Sequence, residues 1–364
     1  MNRHVFQRLP RTDRVAGLET RDIPIRSGAA CGAKSRRRNA FQKLLWLLVL
    51  ALAPSVVVGG IPLGTNCVVS FAAVDAGRKM LATRDEFVLA LSPFDRAARM
   101  KTNREVSEKD FLEFVAGNVL AWQPDETNRI SRLFQDIGRR LAPGNLPFPR
   151  EIVLIKTSGR EEGNASYTRQ NAVVLPQKEI QSRGLENTLI HELFHLLSRS
   201  NPALRRELYG IIHFHPVNPI PVPAELEPRR ITNPDGVQNC WSIIVTNNNQ
   251  ALTVVPVLYS STPHYDPARG GEFFDYLVFQ FLVIAKEGAA WRPQLLNGHP
   301  RLIEPGEAGG FFEQVGRNTQ YIIHPDEILA DNFVHLVNRH TNLASPWIVS
   351  EMDRVLAKSG EKAK

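Results

Sequence analysis

The sequence predicts an α+β fold, on three observations. A β-prone run, Glu151-Ile152-Val153-Leu154-Ile155-Lys156, is bounded by the turn formers Thr157-Ser158-Gly159. A second such run, Ala172 to Leu175, follows a bend at Thr168-Arg169-Gln170 that can pair it with the strand before it. Next, Leu185, Leu189, Ile190, Leu193, Phe194 and Leu197 recur at spacings that give a helix one buried face. No Gly or Pro interrupts residues 185–199, and Asn201-Pro202 ends the run.

The remaining elements follow in chain order. Asp85 to Leu91 reads as a strand and Glu108 to Trp122 as an amphipathic helix. Asp125 to Leu141 is a second helix, with charged and apolar faces alternating at helical period. Beyond the buried helix, Pro216 to Pro228 is Pro-rich and extended, and Ile231-Thr232-Asn233-Pro234-Asp235-Gly236 is a turn. Trp241 to Val245 and Leu252 to Tyr259 form a hairpin across Asn247-Asn248-Asn249. Glu272 to Ala285, very apolar and aromatic, reads as a core helix. Pro325 and Asp326 suit the first turn of a last helix over residues 326–338, continued by Ile328, Leu329, Phe333, Leu336 and Val337. No internal repeat divides residues 61–364, which read as one unit with residues 201–320 inserted between its two key helices.

The chemistry lies in His191-Glu192-Leu193-Phe194-His195. Residues four apart on a helix are about 6 Å apart along its axis and about 40° apart around it. Both imidazoles can therefore reach one Zn²⁺, with Glu192 beside them as a general base for an activated water. The alternative is two core histidines satisfied by hydrogen bonds. A catalytic zinc needs a third protein ligand and leaves one position for water. Glu327 is the best candidate for that ligand. Asp331, four residues on, shares its face and can take the second ring N–H of His191, fixing that ring's tautomer. The alternative here is an ordinary acidic helix face. His213-Phe214-His215 would place two imidazoles on one strand face, a weaker metal pair.

These residues resemble the gluzincin branch of the zinc metallopeptidases, and locally the neprilysin-like group. Glu327-Ile328-Leu329-Ala330-Asp331-Asn332 is similar to the glutamate-helix motif E-x-x-x-D of that group. Asn164-Ala165-Ser166-Tyr167, followed by Asn171-Ala172-Val173-Val174-Leu175-Pro176, is similar to its N-A-F-Y segment and the strand after it. The resemblance implies a zincin-like fold, with an upper lobe of β-sheet plus zinc helix and a lower helical lobe. It also implies that Asn164 and Ala165 hold a substrate backbone. An exposed strand edge there would bind an extended peptide by strand addition; the alternative is a plain hairpin bordering the core. Tyr321 and His324, just before the glutamate helix, are candidate oxyanion donors.

Charge excludes one class of function and suggests a location. The formal net charge is +7, but residues 1–43 carry eleven Lys/Arg against three Asp/Glu, which leaves the rest of the chain slightly acidic. A near-neutral body has no electrostatic footprint for nucleic acid. The basic leader precedes an apolar stretch at 44–60, the form of an export signal cleaved after Gly60. Alternatively, residues 44–63 supply the roughly 20 uncharged residues of a single membrane anchor. Either places the body outside the cytosol, periplasmic or secreted. Cys67 and Cys240 would there form a disulfide or remain two thiols.

The expectation is thus an exported zinc metallopeptidase acting on peptide or protein, one Zn²⁺ per chain. The other reading is a zincin-like binding protein or pseudoenzyme whose metal serves structure alone.

Overall fold

The computed structural model describes residues 60–362. Strands β1 (Ile61–Leu63), β2 (Cys67–Phe71), β3 (Glu151–Thr157), β4 (Tyr167–Arg169) and β5 (Ala172–Pro176) form a five-stranded sheet in the order β1-β2-β3-β5-β4. Its centre, β2-β3-β5, is parallel, and both margins are antiparallel. Strand periodicity of two explains the sheet's double burial. Leu154, Val173 and Leu175 pack into the main core, whereas Ile155, Ala172 and Val174 pack into a second core on the opposite face. The hairpin expected ahead of Ala172 is present, but Thr168 and Arg169 belong to β4, and the turn falls at Gln170 with φ 54°. β4 is the edge strand, but Tyr167, Thr168 and Arg169 are all buried, so the edge is not the exposed one expected.

Helices α1 (Val74–Leu81), α2 (Glu86–Ala90), α3 (Pro93–Arg99), α4 (Glu108–Gly117) and α5 (Pro124–Leu141) precede β3 or flank the sheet. The stretch Asp85 to Leu91, expected as a strand, is instead a one-turn helix. The Asp85 carboxylate caps it by accepting from Val88 N at 3.1 Å and also pairs with Arg169 Nε at 2.8 Å. These two partners outweigh the strand-prone Phe87-Val88-Leu89. The helix expected from Glu108 to Trp122 stops at Gly117, because Leu120 N donates to Lys156 O and the chain joins the margin of β3.

After α6 (Gln177–Ile180), helix α7 (Leu185–Ser200) runs through the main core, every residue from Thr188 to Ser198 buried. Asn201 separates it from α8 (Pro202–Ile211), which begins on Pro202, suited to a first helical position.

The segment between the two key helices differs most from expectation. It holds an antiparallel sheet of β6 (His215–Pro216), β7 (Trp241–Asn247), β8 (Gln250–Ser260), β9 (Leu277–Glu287) and β10 (Ala290–Pro293). A small hairpin of β11 (Leu295–Leu296) and β12 (His299–Pro300) follows, and β13 (Leu302–Ile303) pairs with β9. The stretch between the two key helices is therefore largely β. Residues 277–287 are strand, not the expected core helix, and only Phe273 to Tyr276 make a 3₁₀ turn. Phe281 and Val283 reach the main core while Leu282 and Ile284 meet Val255 and Val257 on the other face. A strand buried on both faces is continuously apolar, so periodicity cannot separate it from a buried helix. The β7–β8 hairpin is as expected, with Asn248 and Asn249 both at positive φ, the requirement of a type I′ turn.

His213 and His215 do not share a strand. His213 lies in the turn leaving α8 at φ 60°, and only His215 belongs to β6. Helix α9 (Phe311–Val315) leads toward α10 (Pro325–Val337), which packs on α7, and α11 (Pro346–Lys362) packs against α8 and α10.

Cys67 and Cys240 are separate thiols, so the disulfide is not formed; burial pushes the Cys67 thiol up to about 12. Cys31 and the leader and signal stretch through residue 59 lie outside the described residues. Ile61–Leu63, the end of the proposed anchor, form β1, with Ile61 and Leu63 in the core. No helix among the described residues is long and apolar enough to cross a membrane.

Candidate metal centre

Helix α7 brings His191 and His195 onto one face, their ring centroids 4.7 Å apart and nearly perpendicular. Helix α10 places Glu327 opposite both rings. Glu327 Oε2 lies 3.0 Å from His191 Nε2 and 3.5 Å from His195 Nε2. Donor atoms of the three residues all fall within 4.8 Å of one another. Tetrahedral zinc ligands at about 2.0–2.2 Å from the ion stand about 3.3–3.6 Å from each other; the 3.5 Å contact falls in that range and the 3.0 Å contact is a few tenths of an ångström shorter.

The hydrogen bonding gives an independent fit test. His191 Nδ1 stands 3.0 Å from Asp331 Oδ1, as expected from the i, i+4 spacing, and Thr319 Oγ1 donates to the other oxygen of Asp331. His195 Nδ1 stands 2.7 Å from Asp326 Oδ2, whose partner oxygen accepts from Ser198 Oγ at 2.6 Å and Tyr209 OH at 2.7 Å. Each ring thus has a carboxylate for its Nδ1–H. A neutral imidazole has one N–H, which leaves the Nε2 lone pairs facing the Glu327 carboxylate. Either both rings take a second proton or a cation lies between them. Without the cation, burial would lower both imidazoles, but carboxylate partners win. Asp331 and Glu327 hydrogen bonds lift His191 to about 9, and the charges of Asp235 and Glu327 lift His195 well above its ordinary value. The residues therefore fit a divalent ion.

Glu192 follows His191 on the helix and is 1 % exposed. Its Oε2 meets no hydrogen-bond partner among the described residues. Burial and the nearby Asp235 charge raise its carboxyl to about 7, against the opposing pull of the two histidines. Glu327 and Asp326 behave oppositely. Burial opposes their ionisation, yet the His195 charge and imidazole hydrogen bonds hold Glu327 well below the usual range and Asp326 at about 2.

Tyr321 stacks on His191, centroids 6.3 Å apart, and lines a small cavity with Ala165, Ser166, Asn233 and Asp235. Ala165 thus borders the site, on the segment leading into β4. Asn164 holds a left-handed turn at φ 63°, its N–H donating to Gly159 O at 2.7 Å. His324 is engaged elsewhere, its Nδ1 accepting from Asp326 N at 3.2 Å as the cap of α10. Burial lowers it to about 4, so the ring is neutral. Of the two oxyanion candidates, Tyr321 is the one stacked beside His191.

Three residues here escape sequence reasoning. Asp326 reads only as a first-turn acid of α10, though its place between Pro325 and Glu327 is a usable signal. Asn233 and Asp235 read as a turn. Asn233 Nδ2 donates to Glu327 Oε1 at 2.7 Å, and a donor atom of Asp235 lies within 4.8 Å of those of Glu192 and His195. No local pattern announces either contact.

Comparison with protein-family models found no match, and comparisons with curated proteins and with solved structures found none either. The geometry therefore carries the functional reading.

Proposed function

We propose that this chain is a zinc-dependent metallopeptidase of zincin-like architecture, exported from the cytosol, that hydrolyses peptide bonds. One observation carries the reading: His191, His195 and Glu327 converge from two helices, with Glu192 alongside, its Oε2 without a hydrogen-bond partner among the described residues. When bound, Zn²⁺ would polarise the scissile carbonyl and lower the pKa of a water toward about 7. Glu192 takes a proton from the attacking water and passes it to the leaving amine. A carboxyl near 7 is suited to both steps. Asp331 and Asp326 hold the two ligand rings in one tautomer and orientation. Tyr321, against His191, is the candidate donor to the developing oxyanion. Asn164 and Ala165, in the segment that leads into β4, would align a substrate backbone, as the resemblance implies. The order of a basic leader and an apolar stretch in residues 1–60 supports the export part of the reading.

One observation favours a second reading, a closed structural zinc in a non-catalytic protein. The three residues are almost wholly buried, His195 and Glu327 each 1 % exposed, and a carboxylate oxygen of Asp235 lies within 4.8 Å of donor atoms of Glu192 and His195. Structural zinc sites have four protein ligands and no open position. A peptide-library digest of the metal-loaded exported form, with and without chelator, separates the two. Chelator-sensitive cleavage supports the peptidase; a chelator-induced fall in Tm with no cleavage at any stage supports the structural site.

A further inference from the structure

We propose that the small cavity beside the metal centre selects peptides carrying serine or threonine next to the scissile bond, with Ser166 as the residue that reads the hydroxyl. The inference deepens the metallopeptidase reading and rests on it for cleavage, though not for binding of the side chain.

One wall of the cavity adjoins the centre. Tyr321, Asn233 and Asp235 all line it. Tyr321 stacks on His191, Asn233 Nδ2 donates to Glu327 Oε1 at 2.7 Å, and a carboxylate oxygen of Asp235 lies within 4.8 Å of donor atoms of Glu192 and His195. All three residues are half-buried, so this wall is not sealed from solvent. Consecutive Cα atoms are about 3.8 Å apart, so a residue flanking a carbonyl at the centre brings its side chain to this wall.

Size restricts what enters. The cavity holds about 30 Å³. A water-sized group takes about 10–15 Å³, so about two or three non-hydrogen atoms fit. Serine and threonine side chains are of that size, and leucine and phenylalanine exceed it. Leu258, Phe273, Phe274 and Leu277 wall the far side and pack in one apolar cluster, the rings of Phe273 and Phe274 only 3.9 Å apart between centroids.

The hydroxyl preference comes from Ser166, which lines the same cavity. It is 4 % exposed, and its Oγ has no hydrogen-bond partner among the described residues. A buried hydroxyl without a partner costs stability, and an entering hydroxyl offsets that cost. The carboxylates on the wall are already answered by guanidinium groups. Glu162 accepts from Arg99 Nε at 2.8 Å and Nη2 at 2.7 Å, and Asp235 Oδ1 accepts from Arg199 Nη2 at 3.4 Å and Thr168 N at 3.0 Å. Ser166 Oγ among apolar walls suits a neutral hydroxyl rather than a charged side chain.

The test uses the zinc-loaded full chain and two readouts, cleavage of a peptide library and affinity for amino-acid hydroxamates bearing Ser, Thr, Ala, Val, Leu or Phe side chains. Wild type should bind the threonine hydroxamate about 3–10-fold tighter than its isostere, the valine hydroxamate. Ser166→Ala should erase that difference. Phe274→Ala should raise affinity for the leucine and phenylalanine compounds at least about tenfold, the effect of room for a further methylene. The Tm of each metal-free variant reports its fold, and Leu277→Ala carries the same size test if Phe274→Ala does not fold. Equal binding of the threonine and valine compounds by folded wild type, a difference that survives in Ser166→Ala, or no hydroxamate binding would overturn the pocket. Library cleavage with no preference beside the cut would overturn it too and leave the peptidase reading intact. Hydroxamates bound in the expected order with no peptide cleaved would retain the pocket and remove the peptidase.

Discussion

Asp326 Oδ2 stands 2.7 Å from His195 Nδ1, joining the first turn of α10 to the metal face of α7. The residue one place before Glu327 thereby orients His195. Together with the Asp331–His191 pair, it lets α10 hold both imidazoles as well as supply Glu327.

Asp326→Asn should weaken zinc binding by about 10–100-fold, the usual effect of removing a carboxylate behind a ligand histidine. The amide also loses the charge that Ser198 and Tyr209 address. Competition against a fluorescent chelator measures the affinity. Unchanged affinity would show that His195 needs no such support.

Glu192→Gln should keep zinc and lose peptide hydrolysis by about 10²–10⁴-fold, the size of a general-base contribution. The neutral side chain removes a buried carboxylate oxygen that has no partner among the described residues, so Tm should hold or rise. Metal stoichiometry, Tm and turnover on one preparation test this jointly. Retained turnover would remove Glu192 as the base.

Zinc affinity should rise with pH across the titration of His191. Burial opposes its protonation, but Asp331 and Glu327 raise it from 6.5 to about 9 in the metal-free protein. A raised imidazole stabilises the metal-free fold fully below about pH 6.5, and that stability is lost as pH rises through about 9. The ion must displace the same proton, so apparent affinity climbs over that window. Chelator competition at pH 6, 7, 8 and 9 follows the rise on affinity, and urea unfolding of the metal-free chain follows the fall on stability. A flat affinity profile would contradict the protonated pair.

Phe194→Ala should destabilise the fold by about 3–5 kcal/mol, the range for emptying a buried aromatic position. Phe194 is fully buried between the ligands on α7 and packs on Phe333 of α10, ring centroids 5.6 Å apart. The cavity would loosen the helix pair, so zinc affinity should fall along with the urea midpoint. A stability loss with full zinc affinity would separate the core from the site.

What local spacing determines was legible in the residues themselves. His191 and His195 four apart had to share a helical face, and Glu327 and Asp331 likewise, because helix geometry is a property of the chain over one turn. Strand β3 and the β4–β5 and β7–β8 hairpins were legible for the same reason, since alternation and turn residues act within a few positions. Elsewhere the tertiary structure decided. Residues 277–287 became a strand because neighbours on both faces bury them, and a uniformly apolar run does not state its own period. Asp85 capped a helix because its carboxylate had Arg169 to meet across the fold. Asn233 reached Glu327, and Asp235 reached Glu192 and His195, across separations that only packing closes. A sequence specifies which donors ride together on one helix; which distant carboxylates face them depends on how the helices, the edge strand and the turn carrying Asn233 and Asp235 settle against a common core.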